Sequence, residues 1–546
     1  MTTNHPHYFH PAWIVPTDKR LTADLCVYGG TAGGVVAAIK AKRLGLTVCL
    51  LHPGQTLGGM TTGGLGWSDI GQPESLGGMA KSFYTEIARR RGEPGQSYRF
   101  TPTEAQAVID DWVRDADLDY HTCQFLDAAV VEGQRITEVV MLGGLRVQAK
   151  AFIDATYEGD LFAAAGVSYR LGREPNTAFN ETLNGTQVHH KHQFRPAAIS
   201  PFVTPDDPSS GLLSGVEPGD AHHRIGLGDT RIQAYNFRVC LTDDPELRLD
   251  WQRPEHYDPL DFELALRWYE QPDKHRESDS LRKGLTGDAV REIPWKYDIL
   301  PVPTPNGHRK TDTNNHGPVS SDLVGGSQHW PTADHATREK IFQAHVTWQQ
   351  GLYWTLANHP RVPDLYRNAY GKWGLPRDEF TDTGHWPHQL YVREGRRLVG
   401  MTTVTEHHFL GTETADDPVA PVALASYQMD SHNCSRFITT TDDGRPVVMN
   451  EGDVQTPATG PYAIPLGTMI PADGQATNLL VSACVSATHI AYGSIRMEPI
   501  FMALGESAGC AASVMLRENQ PAQDLDYHKL RPLLDDAEQV LGLIAL

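Results

Sequence analysis

The chain has no Cys-x-x-Cys pair and no cluster of cysteines. Its seven cysteines, at positions 26, 49, 123, 240, 434, 484 and 510, are scattered through 546 residues. That argues against a disulfide framework and against a structural zinc or iron–sulfur site, and it fits a reducing compartment. Positive charge is also short. Lys and Arg total 47 against 67 Asp and Glu, a formal net charge of -20. Nucleic acid and anionic membrane surfaces need a basic footprint, so neither is expected as the main partner. No uninterrupted apolar run reaches membrane-spanning length. The opening "MTTNHPHYFHPAWIVPTDKR" lacks the apolar centre of a signal peptide. The expectation is a soluble cytoplasmic protein whose "HPHYFH" stretch is a plain polar arm. Internal repeats and low-complexity segments are missing too.

What is present is ordinary globular material, 40% hydrophobic and 21% charged. The length suggests two or three structural units. From Ala23 the chain reads as a βαβ unit: "DLCVY" a strand, "GGTAGG" a Gly-rich turn, "VVAAIKAKRLG" a helix, "LTVCLL" a second strand. A Gly-dense loop spans Gly58 to Gly78, and a helix is expected from Met79 to Arg90. "AFIDATYEGD" reads as a further strand running into a loop. Between Gly172 and His388 Pro, Asn, His, Asp and Trp rise and periodicity fades, apart from helical stretches such as "TREKIFQAHVTWQQGLYWTLANHP". Apolar order returns with "NLLVSACVSATHIAYG". The reading is an N-terminal extension (1–22), a nucleotide-binding layer made from both ends (23–172 and 441–546), and an inserted substrate or cap domain (173–440).

A diphosphate needs backbone N–H groups at close range and a helix N-terminus aimed at it. Gly29, Gly30, Gly33 and Gly34 stand where that requires, between strand and helix. Thr31 replaces the second glycine of G-x-G-x-x-G, with Ala32 beside it. A tight structural turn without nucleotide is the alternative. The acid expected after the second strand, for the ribose hydroxyls, is replaced by His52, which cannot offer paired acceptance. A second glycine cluster, from Gly58 and Gly59 through Met60 and Thr61 to Gly66, suits a flat flavin ring lying on backbone. A surface loop is its alternative, and the embedded Met60 and Trp67 argue against exposure.

Gly505-Glu506-Ser507-Ala508-Gly509 matches the G-x-S-x-G elbow of serine hydrolases. After Ser507 the acid and histidine candidates, Asp524, Asp526 and His528, crowd into about twenty residues, too few for an α/β-hydrolase. Gly505 and Gly509 read better as small residues at i, i+4 on one face of a tightly packed helix. That helix begins near Glu498, with Pro499 in its first turn.

The stretches "VYGGTAGGVVAAI", "LGGMTTGGLGWSDIG", "FIDATYEGDLFAAAGVSYRLGRE", "IQAYNFRVCLT", "KTDTNNHGPVSSDLVGGS", "LYVREGRRLVG", "SYQMDSHN", "GPYAIPLGTMIP" and "SATHIAYGSIRMEPIFMALGESAG" resemble FAD-dependent oxidoreductases of the glutathione-reductase-like, two-dinucleotide-fold type. More narrowly, the chain is similar over nearly its whole length to a bacterial family labelled FAD-dependent oxidoreductase, some members of which are called xanthan-lyase-like. The resemblance implies an α/β fold: a Rossmann-like FAD-binding domain of glutathione-reductase type with an inserted mixed α+β substrate domain. It implies FAD as cofactor. "FIDATYEGD" resembles the Ala-Thr-Gly motif of this fold type, with Ala155 and Thr156 kept, Tyr157 in place of glycine, and Gly159 following. Cys484 stands where the acid of the ribityl contact is expected. The helix beginning near Glu498 would turn its positive end to the flavin, stabilising reduced flavin by roughly 0.3–2 kcal/mol. Arg496, Met497 and Glu498 are thus implied cofactor neighbours.

Flavin oxidation of an alcohol or amine sends a proton to a base. His489 is the first candidate, against a buried histidine bonded to backbone. Tyr492 is a candidate hydroxyl donor. Arg496 balances charge or pairs with Glu498 or another acid. Asp430, His432 and Asn433, with Asn314, Asn315 and His316, suit a polyhydroxy substrate. His432 joins the catalytic candidates, and Asp69 and Asn315 the substrate-binding ones. Arg393, Arg396 and Arg397 read either as a carboxylate clamp or as a solvated helix face. Trp67 reads as a stacking wall or as core. No spacing supports a metal site. The leading expectation is an FAD-dependent dehydrogenase or oxidase of a sugar, glycoside or polyol. Its rivals are oxidation of an amine or carboxylate-bearing substrate with Arg393 or Arg397 facing the ring, a serine hydrolase using Ser507, and a flavin carrier without turnover. The electron acceptor, oligomeric state and covalent attachment of FAD stay open.

Overall fold

The computed structural model describes residues 5–195, 197–271, 297–300, 308–412 and 420–542. Strand β1 (Arg20–Tyr28) is the spine of the molecule. Helix α1 (Ala32–Arg43) leads to β2 (Val48–Leu51), which pairs parallel with β1. Helices α2 (Gly78–Arg91) and α3 (Pro102–Asp115) follow, then β3 (Tyr120–His121), parallel to β2. Strands β4 (Leu126–Glu132) and β5 (Arg135–Met141) form an antiparallel hairpin that returns to β6 (Arg146–Asp154). β6 lies parallel to β1, with Val27 opposite Ile153.

The middle of the chain supplies short ladders and the 24-residue helix α4 (His335–Asn358), capped by Asp334. Strand β7 (Leu479–Val481) then completes the sheet, parallel to the second half of β6 with Leu480 opposite Ile153. It is followed by α5 (His489–Ile495) and α6 (Glu498–Glu518). Residues Leu25 to Tyr28 are wholly buried. That explains the unbroken apolar run of a parallel strand covered on both faces. The parallel sheet therefore draws on both ends of the chain.

Helix α6 carries Ser507, so the elbow-like motif is helical rather than the strand-to-turn junction a hydrolase needs. Ser507 is fully buried and donates to the Val422 carbonyl at 2.7 Å. This disposes of the hydrolase alternative. The glycines have a packing role instead. A Cβ on Gly509 would stand 2.6 Å from the Ala37 oxygen, one on Gly33 2.5 Å from the Phe501 oxygen, and one on Gly505 would overlap the Gly33 carbonyl. Helices α1 and α6 thus cross backbone to backbone. Every residue from Glu498 to Met515 is buried, as expected of a helix apolar all round. It is the one helix among the described residues long and apolar enough to cross a bilayer, and 94% of its most apolar stretch is buried inside the protein.

Two expected boundaries move. The cut at 22/23 falls inside β1. The cut at 440/441 falls in a hairpin, where Ser435–Thr440 pairs antiparallel with Pro446–Glu451.

Candidate functional site

The turn after β1 lies on the end of β6. Gly29 has φ +110°, and a Cβ there would sit 2.6 Å from the Ala155 carbon and the Thr156 nitrogen. Thr31, the departure from the glycine fingerprint, caps α1. Its hydroxyl accepts from Gly34 N–H at 3.1 Å and donates to the Ala155 carbonyl at 2.9 Å. The N–H groups of a helix's first turn have no intrahelical acceptor, which makes this end of α1 an anion site. His52 braces the turn: its Nδ1 accepts from Gly30 N–H at 3.0 Å. Burial pushes its pKa down to about 4, so it is a neutral imidazole. With Nδ1 committed to Gly30, it lines the cavity without the paired acceptance a carboxylate offers.

A cavity of about 480 Å³ opens here. It is walled by Gly29 and Thr31, by residues 52–56 after β2, and by Thr156, Tyr157 and Glu158 after β6. His388, Gln389 and Leu390 also line it, together with rings from residues 5–13. Dinucleotides bind at the carboxyl ends of such strands. The backbone-only surface at Gly29, the open first turn of α1 and the cavity together fit the diphosphate and adenosine of a dinucleotide.

Deeper in, a second knot joins the Gly-dense loop to α6. Tyr157 hydroxyl accepts from Met60 N–H at 2.9 Å and donates to Glu498 at 2.7 Å; Thr61 hydroxyl donates to the other Glu498 oxygen at 2.7 Å. Burial raises Glu498 to about 7. A Cβ on Gly59 would collide with the Tyr157 hydroxyl. Met60, Thr61, Met497 and Glu498 are therefore brought together with Ala155 and Thr156, and Tyr157 earns its place opposite Gly59. Cys484 is fully buried and lies 3.3 Å from the Thr156 carbonyl; burial pushes its thiol well up. It is held as a protonated thiol, which disfavours redox work or attachment there.

The segment 388–397 runs from the cavity to a third cluster. His489 is buried with Nδ1 2.8 Å from Glu394 and Nε2 3.1 Å from the Ser431 hydroxyl. Its ring is bound by side chains, so the backbone-bonded reading fails. His432 Nδ1 lies 2.7 Å from Asp322 and its Nε2 3.6 Å from Asp430. Arg496 reaches Asp430 at 3.2 Å and the Tyr391 hydroxyl at 3.1 Å, rather than Glu498. Asp453, raised to about 7 by burial, and His192, lowered to about 4, stand 3.8 Å apart in the same region. Asn315 Nδ2 and Asn433 Oδ1 are buried without a partner among the described residues.

Several expected residues lie elsewhere or are committed. Arg393, Arg396 and Arg397 are neither a clamp nor a solvated helix face. They meet internal acids: Arg393 meets Asp322 at 2.9 Å, Arg396 meets Asp160 at 2.8 Å, and Arg397 meets Glu174 at 2.8 Å and Glu394 at 3.0 Å. Burial of a guanidinium requires such pairing. Tyr492 donates to the Ala483 carbonyl at 3.2 Å, and burial pushes its pKa well up. Trp67 stacks under the Arg99 guanidinium at 4.0 Å and pairs with Arg99 in a bridge; it is half-buried rather than deep core. Asp69 is half-buried and bonded to Tyr427. A trio the spacing did not suggest, Cys49, Asp119 and His121, has ligand atoms within 4.8 Å of one another at the β2–β3 edge. Sequence reasoning missed Glu394, Ser431, Asp322 and Asp453 as partners. Glu394 is 95 residues from His489, and no local pattern could signal the pair.

A family model described as FAD dependent oxidoreductase matches residues 24–534. The chain belongs to this family. FAD is its cofactor, and the glycine turn, the cavity and the Tyr157–Glu498 knot are the parts that would hold it. No curated protein matches the chain. Among solved structures, a flavin-containing monooxygenase from Stenotrophomonas maltophilia is 19% identical, with 31% of this chain and 46% of that one covered and a TM-score of 0.20. Thermovibrio ammonificans THI4 is 20% identical, with 28% and 66% covered and a TM-score of 0.22. A 3-ketosteroid-delta4-(5alpha)-dehydrogenase from Rhodococcus jostii RHA1 is 14% identical, with 27% and 48% covered and a TM-score of 0.19. The chain spans less than half the length of the first and third of these.

Proposed function

We propose that this protein is an FAD-dependent dehydrogenase or oxidase of a neutral polyhydroxy molecule: a sugar, glycoside or polyol. Bound FAD supplies the hydride acceptor. Glu394 holds the Nδ1 proton of His489 and fixes its tautomer, which leaves Nε2 as the base. Ser431, 3.1 Å from Nε2, sits where a substrate hydroxyl would pass its proton. Asp430 and His432, joined at 3.6 Å, would supply further donors and acceptors, and Asn315 Nδ2 and Asn433 Oδ1 are buried without a partner among the described residues. A buried unpaired polar atom costs about 1–3 kcal/mol, so an incoming hydroxyl that satisfies it gains binding. The observation that carries the reading is the buried line Glu394–His489–Ser431. The commitment of Arg393 and Arg397 to internal acids weighs against the rival in which either one grips a substrate carboxylate.

A second reading rests on Arg436. It is buried, its only side-chain hydrogen bond among the described residues is 3.5 Å to the Pro318 carbonyl, and its Nε has no partner among them. Burial lowers its pKa to about 10. A carboxylate-bearing substrate would satisfy it. The test is anaerobic bleaching of the yellow holoenzyme by a panel of sugars, polyols, hydroxy acids and amines. Bleaching by a neutral polyol, slowed about 100-fold or more in His489→Asn, supports the first reading. Bleaching confined to hydroxy acids and lost in Arg436→Gln replaces it with the second.

A further inference from the structure

The segment from His5 to Trp13, expected to be a plain polar arm, is built into the mouth of the nucleotide cavity. Glu339 on α4 anchors it. Its carboxylate accepts from Tyr8 and Phe9 N–H at 2.8 and 2.9 Å and lies 2.7 Å from His7 Nδ1. One turn on, Gln343 donates to the Pro6 carbonyl at 2.8 Å. The Tyr8 ring meets Trp330 edge-on at 4.9 Å, and the Phe9 ring meets Phe125 edge-on at 4.9 Å. Arg338 donates to the Tyr8 hydroxyl at 3.1 Å. A solvated tail would need none of these five partners.

The arm presents to the cavity the rings of His5, His7 and Trp13. They form one cluster, with His5 5.4 Å and Trp13 6.2 Å from His7. The same cavity is lined by residues 52–56, directly after β2. That is where a dinucleotide fold places adenosine. A purine is a planar ring system, and aromatic side chains take such systems by stacking or edge contact. We propose that the N-terminal arm is the adenine-binding wall of the FAD site, with Trp13 and His7 as its contact surfaces and Glu339 as the residue that positions it. The arm then selects FAD over FMN, because only FAD carries the adenosine half that reaches it.

The test uses full-length holoenzyme carrying Trp13→Ala or Glu339→Ala. Flavin release after dilution is followed by the return of flavin fluorescence, for protein loaded with FAD and for protein reloaded with FMN. FAD release should quicken about two- to tenfold in Trp13→Ala, the range of one aromatic contact. It should quicken at least about tenfold in Glu339→Ala, where the whole arm is freed. FMN release should change less than about twofold. FAD release unchanged in both variants overturns the proposal. Equal acceleration of FAD and FMN also overturns it, since the arm would then act on the fold rather than on adenine. Should Glu339→Ala fail to fold or FMN fail to load, FAD release from Trp13→Ala decides alone.

Discussion

Gly505→Ala tests the contact that joins the two ends of the chain. A Cβ at residue 505 overlaps the carbonyl oxygen of Gly33 in the first turn of α1. The obstacle is backbone, so no rotamer change relieves it. The helices must separate by a large fraction of an ångström or more. Alanine adds about 1 kcal/mol of helix propensity, while overpacking costs typically about 1–3 kcal/mol and sometimes more. Because the clash is rigid, the cost wins, and a net loss of about 2 kcal/mol is expected. Gly509→Ala, whose Cβ would stand 2.6 Å from the Ala37 oxygen, should do the same more mildly. Gly371→Ala is the internal control, since it ends a helix with nothing within 4 Å of its Cβ; it should be neutral or stabilising. Any displacement of Gly33 also moves the phosphate-binding turn, so Gly505→Ala should lose flavin during purification. Thermal unfolding and the ratio of flavin to protein absorbance measure both effects. If Gly505→Ala melts with the parent and retains a full complement of FAD, the close crossing of α1 and α6 is wrong, and so is the shared nucleotide layer.

Ser507→Ala should cost about 1 kcal/mol for the lost bond to Val422 and leave substrate bleaching unchanged; covalent labelling of the parent at Ser507 by a serine-directed phosphonate would contradict that. Glu394→Gln should lower the rate of bleaching more than substrate affinity and shift its pH profile, because it unsettles His489 without removing it; a profile identical to the parent would deny Glu394 its positioning role. Glu498 sits at about 7 when folded against an ordinary 4.5. Between those values the folded protein holds a proton that the unfolded chain has released, so this group's contribution to stability falls as pH rises through the window, by up to about 3 kcal/mol. Flavin-free Glu498→Gln should therefore gain on the parent from pH 4.5 to 7 in denaturant titrations. His52, His192 and His388, each lowered to about 4, act in the opposite sense, so the difference between variant and parent is the readout, and a constant difference across the window refutes the assignment.

The elements with strong local signals were legible. The β1–α1–β2 unit shows in its apolar runs and its glycine turn. α2 emerged within one residue of the expected ends, and α6 begins at Glu498, as Pro499 signalled. The capping box that starts α3, Thr101 with Glu104, is equally local and was overlooked. The β4–β5 hairpin turns at Gly133 with φ +62° and could have been read as well. The arginines of the 393–397 segment were misjudged for a different reason. Charge is visible in a sequence, but burial is not, and burial turned a presumed clamp into part of an internal network of ion pairs.

By itself the sequence determined which short segments turn and which stay apolar, because glycine freedom, proline and hydrophobic period act over a few residues. It therefore indicated a βαβ unit with a glycine turn and a helix over the Ser507 segment. Only the tertiary structure decided who meets whom. Glu394 reaches His489, Tyr157 reaches Glu498, and an unremarkable N-terminal arm reaches the mouth of the cavity, across 95, 341 and 331 residues respectively. Such pairings depend on how the whole chain closes on its core, and no local interaction energy encodes them.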